Sequence, residues 1–178
     1  MAAALTSSRA ARPEAIAFLI DAYEGVDVRP GKGLPHAQAV ADVLRGAGYD
    51  EGTQLLALLH DVVEDTPRTI EEVRHAFGDP IADMVGALTE DPSAPRYAQR
   101  KRDLRTRTMA AGSPVVDVAL ADKIASLRHA LVTQSKVSDR KLRHYTVMLQ
   151  LALTARLAPG LCKQLDELIA RAVAQRLT

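Results

Sequence analysis

The dipeptide His60-Asp61 is the first place in this chain where residue types and spacing could do chemistry. It follows a leucine-rich stretch, and two more carboxylates, Glu64 and Asp65, come one turn later. In a continuing helix Glu64 shares a face with His60 and Asp61, because residues three and four apart are neighbours there. Three carboxylates and an imidazole beside an apolar segment repel and desolvate one another unless a cation compensates. The pattern therefore indicates a metal site, and the alternative is a polar helix end with a solvated acidic patch.

Two distant residues favour the metal site over that alternative. His36 follows a glycine-containing loop and begins an apolar helix. Asp122 has apolar neighbours at helical spacing, and a buried carboxylate without a partner is very costly. The alternative for Asp122 is a salt bridge to Lys123 or Arg128. We expect the Lys123 bridge to be poorly placed, because adjacent residues point about 100° apart around a helix.

The elements that must position these residues are predicted to be helices. Alanine and leucine recur at spacings near 3.6, and the short alternating runs that mark strands are missing from the sequence. We expect an all-α bundle of roughly nine helices, with a flexible tail over residues 1–12 and a single domain over residues 13–178. Asp50 is predicted to cap the leucine-rich helix, and Thr69 to form a capping box with Glu72. The predicted helices cover about residues 13–23, 35–45, 51–65, 70–77, 80–89, 96–111 and 114–129, with a final pair after residues 138 and 159.

The four central residues resemble a known signature. His36, His60-Asp61 and Asp122 are similar in order and spacing to the H…HD…D pattern of the HD-domain metal-dependent phosphohydrolases. The chain is most similar to the alarmone hydrolase branch, meaning the hydrolase domains of Rel/Spo enzymes and their small stand-alone homologues. The resemblance covers about residues 15–145. It rests on the following segments: His60-Asp-Val-Val-Glu-Asp-Thr66, Phe77-Gly78, Val85-Gly-Ala-Leu-Thr89, Arg100-Lys101-Arg102 and Asp122-Lys-Ile-Ala-Ser-Leu-Arg128.

This resemblance implies a metal centre and an acidic pair. One divalent metal, Mn²⁺ in that branch, would be held by two histidines and two aspartates: His36, His60, Asp61 and Asp122. Two imidazoles and two carboxylates without a thiolate also suit Fe²⁺ or Zn²⁺. Glu64 and Asp65 resemble the branch's acidic pair, which positions and deprotonates the attacking water.

The resemblance also implies a set of substrate-binding residues: Arg29, Lys32, Lys101, Ser126 and Tyr145. Lys101 falls on a substrate-binding lysine of the branch, and Arg105 shares its helix face, so both could bind a pyrophosphate. Arg29 and Lys32 stand for the basic loop before the first histidine. Ser126 stands where the branch usually has an asparagine near the nucleotide, and Tyr145 has a packing role in the core as its alternative. We expect most other basic side chains between residues 96 and 107 to form a solvated face.

Composition limits the partners of the chain. Its 178 residues carry 23 Lys and Arg against 22 Asp and Glu, a net charge of +1, with four Tyr, two Phe and no Trp. Balanced charge and few aromatic residues argue against binding to nucleic acid or a membrane surface. Cys162 is the only cysteine, so an intrachain disulfide is excluded, and a cytoplasmic protein is expected. The leucine-rich last two helices could support a homo-oligomer.

The function implied by the resemblance is that of a Mn²⁺-dependent guanosine-3′,5′-bis(diphosphate) 3′-pyrophosphohydrolase. Such an enzyme of the stringent response releases pyrophosphate from a (p)ppGpp-like nucleotide. Two alternatives stay open: an HD phosphohydrolase for another nucleotide or phosphate ester, which Ser126 favours, and a non-catalytic nucleotide-binding helical module. The acidic pair favours an enzyme, because a binding module has no need of Glu64 beside a metal.

Overall fold

The computed structural model describes residues 11–175, which are helical without strands, so the all-α prediction is confirmed for that range. Nine helices of eight or more residues and one four-residue helix occur among these residues, in agreement with the expected number. In chain order they are α1 (Ala11–Ala22), α2 (Leu34–Gly46), α3 (Glu51–Leu59), α4 (Val62–Asp65), α5 (Ile70–Phe77), α6 (Asp79–Leu88), α7 (Tyr97–Ala111), α8 (Val115–Val132), α9 (Asp139–Thr154) and α10 (Pro159–Ala174). Residues 1–10 of the predicted tail lie outside the described residues, whereas residues 11 and 12 belong to α1.

The helices form two compact units that meet in the sequence between Thr89 and Glu90. In the first unit, α2 and α1 pack against α3, and α6 packs against α3 and α5. The leucines of α3 explain this arrangement, because Leu56, Leu58 and Leu59 are fully buried. In the second unit, α10 packs against α8 and α9, and α7 contacts the same two helices. The single domain over residues 13–178 stays a prediction.

Side-chain caps set the helix starts as the sequence predicts. The carboxylate of Asp50 accepts a hydrogen bond of 2.7 Å from the backbone N–H of Thr53 and so caps α3. Thr69 and Glu72 form the complete capping box at the start of α5. Each cap satisfies N–H groups that the first turn of a helix leaves without an intrahelical partner.

The predicted helix over residues 51–65 is divided in two, and this is the main correction to the predicted elements. Helix α3 ends at Leu59, and α4 begins again at Val62. Asp61 has φ −102° and ψ −3°, and its carbonyl oxygen accepts hydrogen bonds from the N–H groups of Glu64 and Asp65 at 3.1 and 2.9 Å. The break therefore lies at His60-Asp61, the residues with the strongest chemical pattern.

Most leucine side chains of α9 and α10 are buried in the protein. Leu161, Leu165 and Leu168 are buried on α10, whereas Leu151 and Leu153 on α9 are partly exposed. A homo-oligomer formed through these helices stays a prediction. Among the described helices, none is both long enough and apolar enough to cross a membrane.

Candidate metal centre

His36 is held in the first turn of α2 by the loop before it. Gly33 precedes the helix with φ 75°, which favours glycine, and a Cβ there would lie 3.1 Å from Cγ1 of Val28. The His36 side chain is buried, and its Nε2 lies 3.9 Å from Oδ2 of Asp61. The glycine loop thus brings an imidazole to the break between α3 and α4.

His60 closes α3 and has one nitrogen fixed by the backbone. Its Nδ1 donates a hydrogen bond of 2.7 Å to the carbonyl oxygen of Ala57, which leaves Nε2 as the nitrogen with the lone pair. That Nε2 lies 3.3 Å from Oδ1 of Asp61. Ring nitrogens of His36 and His60 lie within 4.8 Å of each other. Backbone bonds of this kind orient metal-binding histidines and fix their tautomer.

Asp61 and Asp65 share one cation, the ammonium group of Lys32. Lys32 forms an ion pair with Asp61, and its Nζ lies 3.4 Å from Oδ2 of Asp65. Burial raises the pKa of Asp65, and the Lys32 charge opposes this effect. Burial and the charges of Asp65 and Asp61 also raise the pKa of the nearby Tyr23 phenol. The field between these carboxylates therefore favours positive charge.

The predicted acidic pair lies on α4, and its two members have different surroundings. Asp65 is half-buried beside Lys32, whereas Glu64 is exposed. The hydroxyl of Thr66 ends this short helix by donating to the carbonyl oxygen of Val62 at 2.6 Å. Asp65 therefore lies next to Asp61 and Lys32, whereas the side chain of Glu64 is exposed to solvent.

Asp122 lies on α8 in the second unit and is partly exposed. Lys123 Nζ donates to its Oδ2 at 2.9 Å, and Ser126 Oγ donates to its Oδ1 at 3.4 Å. The expectation that Lys123 is poorly placed for Asp122 was therefore wrong. The four-carbon stem of lysine is long enough to bend its ammonium group back across the 100° between adjacent residues. Arg128, the other suggested partner, donates instead to Gln164 at 3.0 Å.

The basic helix α7 makes specific contacts on one side. Lys101 forms an ion pair with Glu90, and Arg100 Nε lies 3.0 Å from Oε2 of the same glutamate. Arg105 donates from Nη1 to Nδ1 of His144 at 2.8 Å. Arg96 and Arg102 are exposed, in agreement with the expected solvated face.

The other predicted substrate-binding residues differ in accessibility. Tyr145 is only 3% exposed, and Nζ of Lys123 lies 5.8 Å from its ring centroid. Arg29 is exposed in the loop before α2, four residues ahead of Gly33. Of the predicted substrate-binding residues, Lys32 therefore lies beside Asp61 and Asp65 in the first unit. Lys101 and Arg105 lie on α7 and Tyr145 lies on α9 in the second unit.

His36 and His60 are buried and provide two ring nitrogens, and Asp61 adds a carboxylate beside them. Such a donor set suits a divalent cation of the Mn²⁺, Fe²⁺ or Zn²⁺ type. In addition, residues 15–157 match the HD domain family. The chain belongs to this family. The metal dependence of HD domains accounts for the histidine–aspartate cluster.

Relatives of this HD domain include named nucleotide hydrolases. A guanosine-3′,5′-bis(diphosphate) 3′-pyrophosphohydrolase of Danio rerio is 33% identical over 127 residues, which are 68% of this chain and 70% of the relative. The protein of the same activity from Xenopus tropicalis is 37% identical over 115 residues, 63% of this chain and 64% of that protein. The bifunctional (p)ppGpp synthase/hydrolase SpoT of Escherichia coli K12 is 38% identical over 77 residues, 42% of this chain and 11% of SpoT.

Two solved structures share the HD domain fold. A metazoan ortholog of SpoT that hydrolyses ppGpp has a TM-score of 0.74 and 26% identity, and the match covers 93% of this chain and 97% of that one. A protein of Listeria monocytogenes EGD-e has a TM-score of 0.67 and 25% identity, over 77% of this chain and 94% of that one.

Two residues of this HD domain were not assigned to the site from the sequence. Glu90 pairs with both Arg100 and Lys101, and His144 accepts from Arg105. Glu90 lies 10 residues from Arg100, and His144 lies 39 residues from Arg105. The helix periodicity of one segment carries no signal for contacts at these separations.

Proposed function

We propose that this HD domain is a metal-dependent hydrolase that removes the 3′-pyrophosphate of ppGpp in the cytoplasm. The observation that carries the proposal is the cluster of His36, His60 and Asp61 at the start of α2 and the break after α3. It occurs in a chain whose relatives in Danio rerio and Xenopus tropicalis are named for this reaction.

The proposed metal ligands are His36, His60, Asp61 and Asp122, and the proposed metal is Mn²⁺. The first unit supports this choice because the Ala57 carbonyl leaves Nε2 of His60 as the metal-binding nitrogen. Asp122 is included because its position in the sequence completes the H…HD…D pattern. A bound divalent metal lowers the pKa of a coordinated water and attracts phosphate oxygens.

In the proposed reaction Asp65 and Glu64 act on the attacking water. Asp65 lies beside Asp61 and Lys32, where its carboxylate can accept the proton that the water loses. Glu64, on the solvent side of the same turn, orients that water by a hydrogen bond. Attack of the water oxygen on the phosphorus next to the ribose would break the bond between that phosphorus and the 3′ oxygen. The 3′ oxygen takes up a proton and becomes a hydroxyl, and the pyrophosphate is released with the oxygen of the water.

The proposed contacts to the substrate are made by cations. Lys101, Lys32 and Arg29 neutralise the negative charge on the oxygens of the pyrophosphate group while the water attacks it. Lys101 is proposed for this role from its place in the Arg100-Lys101-Arg102 segment, and its ammonium group pairs with Glu90. Tyr145 and Ser126 are proposed to lie near the nucleoside.

A second candidate is hydrolysis of another phosphorylated nucleotide by the same centre, and Ser126 favours it. Ser126 stands where the alarmone branch usually has an asparagine, and its hydroxyl donates to Asp122. A short hydroxyl that is already engaged offers less to a guanine base than an amide with two donors and an acceptor.

The experiment that tests the proposal measures phosphate products after incubation with ppGpp, with Mn²⁺ or after treatment with EDTA. The expected result is Mn²⁺-dependent release of pyrophosphate, with no release of inorganic phosphate. A protein that leaves ppGpp intact but releases pyrophosphate or phosphate from other 3′-phosphorylated nucleotides supports the second candidate. A protein inactive on all of these substrates with Mn²⁺, Fe²⁺ and Zn²⁺ contradicts both.

A further inference from the structure

Arg105 on α7 is held by a neutral group, the imidazole of His144 on α9. The two nitrogens Nη1 and Nδ1 lie 2.8 Å apart, and His144 is only 6% exposed. A guanidinium group has donors alone, so Nδ1 of His144 must accept this hydrogen bond and carries no proton. Burial lowers the pKa of His144 to about 2, and the Lys123, Lys101 and Arg105 charges add to this effect, which agrees with a neutral ring.

The two neighbouring lysines are held in a different way. Lys101 pairs with Glu90, and Lys123 donates to Asp122. Among residues 11–175, Arg105 forms no ion pair with a carboxylate, and its guanidinium keeps its whole positive charge. One of the five N–H donors of Arg105 bonds to His144, so the other donors are available to bind an anion. The contact with His144 therefore fixes the direction of this charge without neutralising it.

We propose that Arg105 binds a phosphate group of the substrate and that His144 is the positioning residue that holds its guanidinium for this purpose. A preorganised cation loses less side-chain entropy on binding, and its hydrogen bonds to phosphate are charge-assisted. The inference rests on the proposed function in one respect, because it takes the anion to be the pyrophosphate of the substrate.

Steady-state kinetics with ppGpp test the two roles. Arg105→Gln removes the charge and is expected to raise KM about 10-fold or more. His144→Phe keeps the ring but removes the acceptor, and KM should rise about 3- to 10-fold with kcat changed less than about twofold. His144→Asn provides an acceptor oxygen near the position of Nδ1 and should restore KM to within about twofold of wild type. Arg102→Gln, an exposed arginine on the same helix, is the matched control and should leave KM unchanged.

Binding of inorganic pyrophosphate to the EDTA-treated protein, measured by calorimetry, separates this inference from the proposed function. If the protein does not hydrolyse ppGpp, the proposed function is contradicted. Weaker pyrophosphate binding in Arg105→Gln and His144→Phe than in wild type would still support the proposed roles of Arg105 and His144. Wild-type protein that does not bind pyrophosphate, or an Arg105→Gln variant that binds it equally well, overturns the inference. Equal binding by His144→Phe, or no recovery in His144→Asn, overturns the positioning role. If His144→Phe does not fold, as judged by circular dichroism, His144→Leu takes its place.

Discussion

Lys32→Met removes the ammonium group that Asp61 and Asp65 share. The side chains of both aspartates are 13% exposed, and that of Lys32 is 29% exposed. Removing one partner of a buried ion pair lowers the free energy of unfolding by about 3–5 kcal/mol. Because Lys32 is partly exposed, we expect a smaller loss of about 2 kcal/mol. For a chain of this length, about 1 kcal/mol shifts Tm by about 2–4 °C, so the metal-free variant should melt about 4–8 °C below wild type.

Thermal unfolding followed by circular dichroism measures this difference in EDTA and again with excess Mn²⁺. The difference should narrow with Mn²⁺, because a divalent cation bound to the folded protein compensates the same carboxylates and stabilises it by linkage. Lys163→Met, an exposed lysine on α10, is the matched control and should melt like wild type under both conditions. Equal melting of Lys32→Met and wild type in EDTA, or a difference that Mn²⁺ leaves unchanged, refutes this reasoning.

Three further substitutions test the supporting elements. Thr69→Ala removes the cap of α5 and should cost about 1 kcal/mol in the free energy of unfolding, measured in urea, whereas an unchanged midpoint counts against the capping box. Gly33→Ala places a Cβ 3.1 Å from Cγ1 of Val28 at φ 75° and should lower the free energy of unfolding by about 1–2 kcal/mol in the same assay. Gly46→Ala is the control, because a Cβ there meets no atom within 4 Å, and it should be neutral or stabilising. Ser126→Asn supplies the longer amide and should lower KM for ppGpp about 3- to 10-fold, and a KM that rises speaks against a place near the nucleoside.

Local rules were enough to predict most of the helices and the capped starts of α3 and α5. Asp50 and Thr69 cap α3 and α5 as expected, because a cap depends on residues only three positions apart. The glycine and proline loops between helices follow in the same way from restricted backbone angles. The position of His36 just after such a loop, and of His60 at the end of the leucine-rich segment, could therefore be predicted.

The features that the sequence did not predict depend on tertiary contacts and on side-chain flexibility. The break at His60-Asp61 interrupts a segment whose apolar period favours one continuous helix. The contact of Lys123 with Asp122 depends on the bending of a long stem, which the helix angle alone does not describe. The contact of Arg105 with His144 joins two helices and has no signal in either one.

Asp61 is proposed to bind the metal of a centre that hydrolyses ppGpp, so its loss should remove the metal and the activity together. Metal content and Mn²⁺-dependent pyrophosphate release are measured on the same samples of wild type, Asp61→Asn and Asp166→Asn, the last an exposed aspartate of α10 that serves as control. Asp61→Asn is expected to lose both bound metal and activity while it stays folded, and Asp166→Asn is expected to keep both. Wild-type metal content and wild-type pyrophosphate release in Asp61→Asn would contradict this proposal.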